Sequence, residues 1–178
     1  MNIRIKRELE GSVLDIGGGG EGIVGRIYGP QVTAIDNRQE ELDEAPEGPL
    51  KLLMDATCLN FSDGCFDHVT SFFTLMYLSA EEQVLAVREA FRVLKSGGRL
   101  HIWDAVIESA YPAPFLVELN IDAAGETVHT TYGIIKTDAA QNMESIVLLC
   151  ESCGFTFING QKYDGVFSIC FEKLTSER

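Results

Sequence analysis

The stretch Val13 to Gly22, VLDIGGGGEG, decides the reading: a short apolar run carrying one aspartate, Asp15, leads straight into four consecutive glycines, Gly17 to Gly20. Glycines between a strand and a helix let a ligand reach the backbone and tolerate positive φ, which is why open α/β sheets bind nucleotides there. A second acid, Asp36, closes the next β-branched run, VTAID from Val32 to Asp36. At that position a carboxylate can accept hydrogen bonds from both hydroxyls of a ribose. Loop and acid together predict a ligand that contains a nucleoside. Asp15 narrows its charge, because a carboxylate ahead of the glycines would repel a pyrophosphate and favour a ligand bearing an ammonium and a sulfonium. That description points to S-adenosylmethionine.

Outward from this loop, β-branched runs alternate with helical patterns, the mark of a parallel sheet with crossover helices. Strands are expected at Ser12 to Ile16, Val32 to Asp36, Leu50 to Met54, Asp67 to Phe72 and Gly98 to Asp104. Between the last two, Ser79 and Glu82 form a capping box ahead of Val84, Val87, Phe91 and Leu94, with Gly97 or Gly98 as the stop. After Asp104 the pattern changes. YPAPFLVELNI and TVHTTYGII, joined by DAAGE, alternate apolar and polar residues and predict a β-hairpin inserted at about 112–136. It is the expected lid or dimerisation element. A helix follows from about Asp138 to Cys153, facing inward through Met143, Ile146, Val147 and Cys150, with Gly154 as its stop. FTFINGQKYDGVFSICFEK then gives two strands joined by a tight turn, so the sheet should end in an antiparallel pair.

Length fits one domain over 1–178, since 178 residues can bury roughly 70% of the unfolded surface in a single core. A formal charge of −13, with only RIKR at Arg4 to Arg7 as a basic block, argues against nucleic acid as a partner. The longest nearly apolar run, Ser71 to Leu78, falls far short of the roughly 20 residues of a membrane helix, and no signal-peptide pattern opens the sequence, so a cytoplasmic protein is expected. Five cysteines in no small secreted framework fit reduced thiols. The CESC of Cys150 to Cys153 has no second cysteine pair or nearby histidine to complete a metal site. With no other metal motif, a metal-independent reaction is expected.

At this point the chain resembles the class I S-adenosylmethionine-dependent methyltransferases, especially the branch near the ubiquinone and menaquinone methyltransferases. The resemblance rests on VLDIGGGGEG, on AIDN at Ala34 to Asn37, on MDATCLNFSDGCFDHVTSFFTLMYL at Met54 to Leu78, and on EAFRVLKSGGRLHIWD at Glu89 to Asp104. It implies an α/β, Rossmann-like, doubly wound sheet of seven mostly parallel strands with an antiparallel last strand. It implies S-adenosyl-L-methionine as cofactor, with Asp15, Gly17 and Gly19 around the methionine part, Asp36 on the ribose and Asn37 bordering the adenine. Asp55 and Ala56 match the positions that meet the adenine amino group and ring. Phe72 and Phe73 match residues lining the reactive end, and Met76 and Tyr77 stand where many relatives carry two histidines. The loop has one residue more than the common pattern, leaving Gly20 or Gly22 for the third-glycine role. Only 11 residues precede the first expected strand, where relatives carry a covering helix, so either the site is unusually open or the hairpin or a second subunit closes it.

Methyl transfer is an in-line displacement that needs alignment and exclusion of water, and a base only where the acceptor must lose a proton. The candidates for that role are Tyr77, Asp104 and His129. Each has a plainer reading, as an amphipathic wall, a turn cap and a solvated strand residue. His68 and His101 read as structural histidines, and Trp103 as core or pocket lining. The expected function is methyl transfer to a small-molecule acceptor. The alternatives are a catalytically weak S-adenosylmethionine-binding partner subunit, which would act only with an active partner, and a nicotinamide-dependent oxidoreductase, which Asp15 disfavours. The apolar hairpin residues Phe115, Val117, Leu119 and Ile121 could meet a hydrophobic acceptor or, in a homodimer, a second subunit.

Overall fold

The computed structural model describes residues 1–5, 7–108 and 111–174. Its main sheet has seven strands: β2 (Val13–Ile16), β3 (Val32–Asp36), β4 (Leu50–Leu53), β5 (Phe66–Phe72), β6 (Leu94–Ala105), β9 (Thr156–Tyr163) and β10 (Val166–Glu172). They lie in the order β4-β3-β2-β5-β6-β10-β9. All neighbours from β4 to β6 run parallel, whereas β10 is antiparallel to both β6 and β9. This is the expected α/β sheet with its antiparallel end. The strand order reverses between β2 and β5, so their carboxyl ends flank the crevice where such sheets hold ligands.

Helices α3 (Ala80–Val93) and α4 (Met143–Ser152) pack on one face, over a core that includes Leu14, Val69, Val87, Leu100, Ile146 and Phe171. The expected capping box starts α3: Glu82 N–H donates to Ser79 Oγ at 3.3 Å, and Ser79 N–H donates to Glu82 Oε2 at 2.7 Å. Its stop differs from expectation. The helix ends at Val93 and Leu94 already belongs to β6, so Gly97 serves a positive-φ bend (φ 78) near the start of that strand rather than a helix cap. Helix α4 begins five residues later than expected, because Asn142 caps it through a second box with Ser145 and Gln141 is held in a bridge to Ile107.

The other face carries α1 (Ile23–Tyr28) and a separate three-stranded sheet. Strands β7 (Phe115–Ala123) and β8 (Glu126–Ile134) form the expected hairpin, turning through Ala124 and Gly125, both at positive φ. The third strand is the departure. Asn2–Ile5 forms β1, paired in parallel with β7 from Asn2↔Asn120 to Ile5↔Ala123. Val117, Leu119 and Ile121 are buried in the same core as Ile3, Ile5, Ile23, Val24 and Ile27, and Phe115 packs against it. The hairpin's apolar face is therefore spent inside the molecule, which removes the ground for expecting a dimer through it. Helix α2 (Gln39–Glu44) packs beside β3 and β4.

Candidate active site

At the carboxyl ends of β2, β3 and β5 lies a cleft of about 330 Å³, in the usual range for small-molecule sites. Asp15, Gly17, Gly19, Asp36, Asn37, Asp55, Ala56, Phe72, Phe73 and Tyr77 all line it. Asp104 and His129 do not line it.

The glycine loop is fixed by its neighbours. Gly17 and Gly18 N–H both donate to Ile35 O, at 2.9 and 3.0 Å, and Gly20 N–H donates to Glu41 O at 2.8 Å. A Cβ on Gly17 would come within 2.3 Å of the Thr74 hydroxyl, and one on Gly19 within 2.5 Å of Glu41 Cβ and 2.8 Å of Asp36 Oδ2. Gly20 and Gly22 both take positive φ, 57 and 52; a Cβ on Gly22 would meet Pro46 at 2.6 Å, whereas at Gly20 the nearest atom is the far end of the Glu41 side chain at 3.0 Å.

Asp15 is 2% exposed, and its Oδ1 accepts from Thr70 Oγ1 at 2.7 Å. It has no cationic partner among the described residues. Burial pushes its carboxyl up to about 7, partly offset by the Thr70 hydrogen bond and reinforced by nearby Asp36. Asp36 accepts from Arg38 N–H through Oδ1 at 3.0 Å, leaving Oδ2 toward the loop. Asp55 Oδ1 accepts from both the backbone and the hydroxyl of Thr57, at 2.8 and 2.7 Å, which fixes the carboxylate plane. In all, Asp15, Glu21, Asp36, Glu41, Asp55 and Glu82 face the cleft against one cation, Arg38, itself bridged to Glu41 at 2.8 Å.

The far wall is aromatic. Phe73 sits at φ 51, a backbone region uncommon for a bulky residue, and its N–H donates to Trp103 O at 2.8 Å. Tyr132 of β8 stacks on it with ring centroids 4.9 Å apart and planes 9° from parallel. The Tyr132 hydroxyl donates to Glu21 Oε2 at 3.2 Å and Thr130 Oγ1 donates to Glu21 Oε1, so the hairpin closes directly on the glycine loop. Lys136 Nζ, donating to Leu78 O at 2.6 Å, ties the end of the hairpin to the other rim. Sequence reasoning missed Glu21, Glu41 and Tyr132; the Glu in GGGGEG was visible, but nothing local revealed its hairpin partners.

Asp104 is fully buried under the Leu75–Tyr77 turn. It accepts from Met76 N–H at 3.2 Å, Ala105 N–H at 2.8 Å and Gln141 Nε2 at 2.7 Å. Burial pushes its carboxyl up to about 7 despite these bonds. It can act on the cleft only by holding the turn that presents Tyr77. Burial also pushes the Tyr77 phenol up, with Asp104, Glu21 and Glu41 adding to the rise. His129 lies on the outer hairpin surface, its Nδ1 against Asn120 Oδ1. Among the described residues no three His, Cys, Asp or Glu side chains form a metal-binding group, and no helix is long and apolar enough to cross a membrane.

Comparison with known proteins bears on the fold and the family. A family model described as a methyltransferase domain matches residues 14–102, half of the chain. No curated protein matches the sequence significantly. Among solved structures, an S-adenosylmethionine-dependent methyltransferase from Methanosarcina mazei is similar at 21% identity and a TM-score of 0.65, covering 93% of this chain and 94% of that one. A Pyrococcus horikoshii protein aligns at 17% identity and a TM-score of 0.69, over 93% and 84% of the two chains. A Haloferax volcanii protein solved in complex with the Trm112 methyltransferase activator aligns at 15% identity and a TM-score of 0.66, over 94% and 84%.

Proposed function

The chain belongs to the methyltransferase-domain family, with S-adenosylmethionine as its cofactor, and from that premise we propose that it methylates a small-molecule acceptor at the aromatic end of the cleft. The observation that carries this reading is Asp15: a buried carboxylate with no cation beside it, at the head of a glycine loop in an acidic cleft. Such a group fits an ammonium and would oppose a diphosphate. When bound, S-adenosylmethionine supplies a methyl carbon already activated by a positively charged sulfur.

The residues then divide the work. Asp15 accepts from the ammonium, while Gly17 and Gly19 let the methionine part lie against bare backbone. Asp36 holds the ribose with the oxygen that Arg38 leaves free. Asn37 borders the adenine, and Asp55, its plane fixed by Thr57, accepts from the adenine amino group beside the Ala56 amide. Phe72 and Phe73 shape the reacting end, and the stacked Tyr132 excludes water from it. Tyr77 serves there as a protonated hydroxyl donor, and Asp104 is its positioning residue. We read 1–178 as one domain built around this site, working in the cytoplasm, where its five free cysteines stay reduced.

A quinol acceptor, which the resemblance to the ubiquinone and menaquinone branch would suggest, finds little support in the cleft. A quinol must lose a phenolic proton, and the two tyrosines on this wall are both pushed toward higher pKa, so they make poor bases. Calorimetry with the purified chain tests the assignment. S-adenosylmethionine and S-adenosylhomocysteine should bind, and absence of heat with both would end it.

A further inference from the structure

We propose that the acceptor is a small organic amine, recognised as its ammonium by the Glu21 carboxylate and the aromatic wall of Phe73, Tyr77 and Tyr132. This rests on the methyltransferase reading above and names its substrate class. On that reading Asp15, Asp36 and Asp55 belong to the cofactor, Glu41 is bridged to Arg38 and Glu82 is held in its capping box with Ser79, which leaves Glu21 as the carboxylate beside the wall. Both its oxygens are pinned by hairpin hydroxyls, from Thr130 and Tyr132, so its charge is held in one place, and each oxygen keeps a lone pair for a further donor. An aromatic ring next to a fixed carboxylate attracts a cation twice, through the ring quadrupole and through charge, and Tyr77, 48% exposed, offers its ring on the cleft. An anionic acceptor would meet the reverse: the one guanidinium in the cleft, Arg38, is engaged by Glu41.

The chemistry agrees. No histidine or lysine lines the cleft, so an acceptor that needs a strong base in the transition state is poorly served. The bound ammonium first gives one proton to water, and the neutral amine left behind needs no further base to attack. Its nitrogen lone pair forms the new N–C bond as the C–S bond breaks, and the sulfur keeps that electron pair as the neutral thioether of S-adenosylhomocysteine. Positive charge passes from sulfur to nitrogen beside Glu21, and the product ammonium then returns its extra proton to water.

The test uses the full chain saturated with S-adenosylhomocysteine and four probes of similar size: 2-phenylethylamine, 2-phenylethanol, 4-ethylphenol and 3-phenylpropionate. The amine should bind at least 10-fold more tightly than the other three. It should also release S-adenosylhomocysteine from S-adenosylmethionine, with methylated amine found by mass spectrometry. In a Glu21→Gln variant that still binds S-adenosylhomocysteine, the preference for amine over alcohol should vanish; if that variant does not fold, Tyr132→Leu, which removes the ring and the hydroxyl, should weaken amine binding in its place. Equal or tighter binding of the alcohol, phenol or carboxylate, or no binding of any probe to the loaded protein, overturns the amine assignment alone. Failure of S-adenosylhomocysteine to bind in the first place would instead overturn the methyltransferase reading.

Discussion

Asp15 carries opposite consequences for stability and for binding. Replacing it with Asn keeps an oxygen for the Thr70 hydroxyl and removes a buried charge, so at pH 8 the ligand-free Asp15→Asn protein should melt at a higher temperature than the parent. The same change deletes a charge-assisted hydrogen bond worth about 1.5–3 kcal/mol, so calorimetry should show S-adenosylmethionine binding weakened roughly 10- to 150-fold. A parent-like affinity would detach Asp15 from the ammonium. Gly19→Ala should act differently, harming both properties, because its methyl group would press on Glu41 and Asp36. A cost of about 1–3 kcal/mol is expected for such crowding, readable by urea denaturation. The acids at the ends of β2 and β3 were legible in the sequence because strand and loop patterns alone locate those ends. Glu21 and Tyr132 were not, since their meeting depends on a hairpin more than a hundred residues away folding back on the loop.

Among the elements, the hairpin offers the clearest experiment. A two-residue turn with both φ values positive favours Asn-Gly, and here Ala124 holds the first position at φ 55. Ala124→Asn should therefore raise stability by about 0.5–1 kcal/mol, measured as a shift in thermal midpoint; destabilisation would mean that the turn is held by contacts beyond its own backbone. Strands β2, β3 and β5 were legible nearly to their ends because they are largely buried apolar runs, whereas β6 starts at Leu94, ahead of the expected Gly98. The missed elements follow physical causes. NIRI is too short and too charged to read as a strand, and it exists only because β7 offers an edge. Helix α4 starts later than the apolar spacing through Ala139 and Ala140 predicts, because the Asn142 side chain sets the boundary. Gly97 and Gly98 looked like a helix stop, yet the chain turns into β6 before reaching them.

For the molecule as a whole, pH separates two sets of buried groups. Asp15 and Asp104 have folded-state values near 7 against 3.8 for the free side chain. Each binds its proton more tightly when folded, so its contribution is complete below 3.8 and is lost as pH rises through 7. His68 and His101 are held below 6.5, chiefly by burial, so their contribution is present above 6.5 and lost as pH falls beneath it. The ligand-free protein should thus gain melting temperature between pH 8 and about 6.5, then level off as the histidines oppose the aspartates. A thermal midpoint that falls steadily over the upper interval would contradict the burial of both carboxylates.

The pairing of β1 with β7 has a consequence for synthesis. Strand β1 leaves the ribosome more than a hundred residues ahead of its partner β7, and such distant pairings form late because a long loop must close first. The nucleotide-binding half can therefore take shape while its roof is still missing, so the nascent chain should accept ligand from solvent before it can shelter any chemistry.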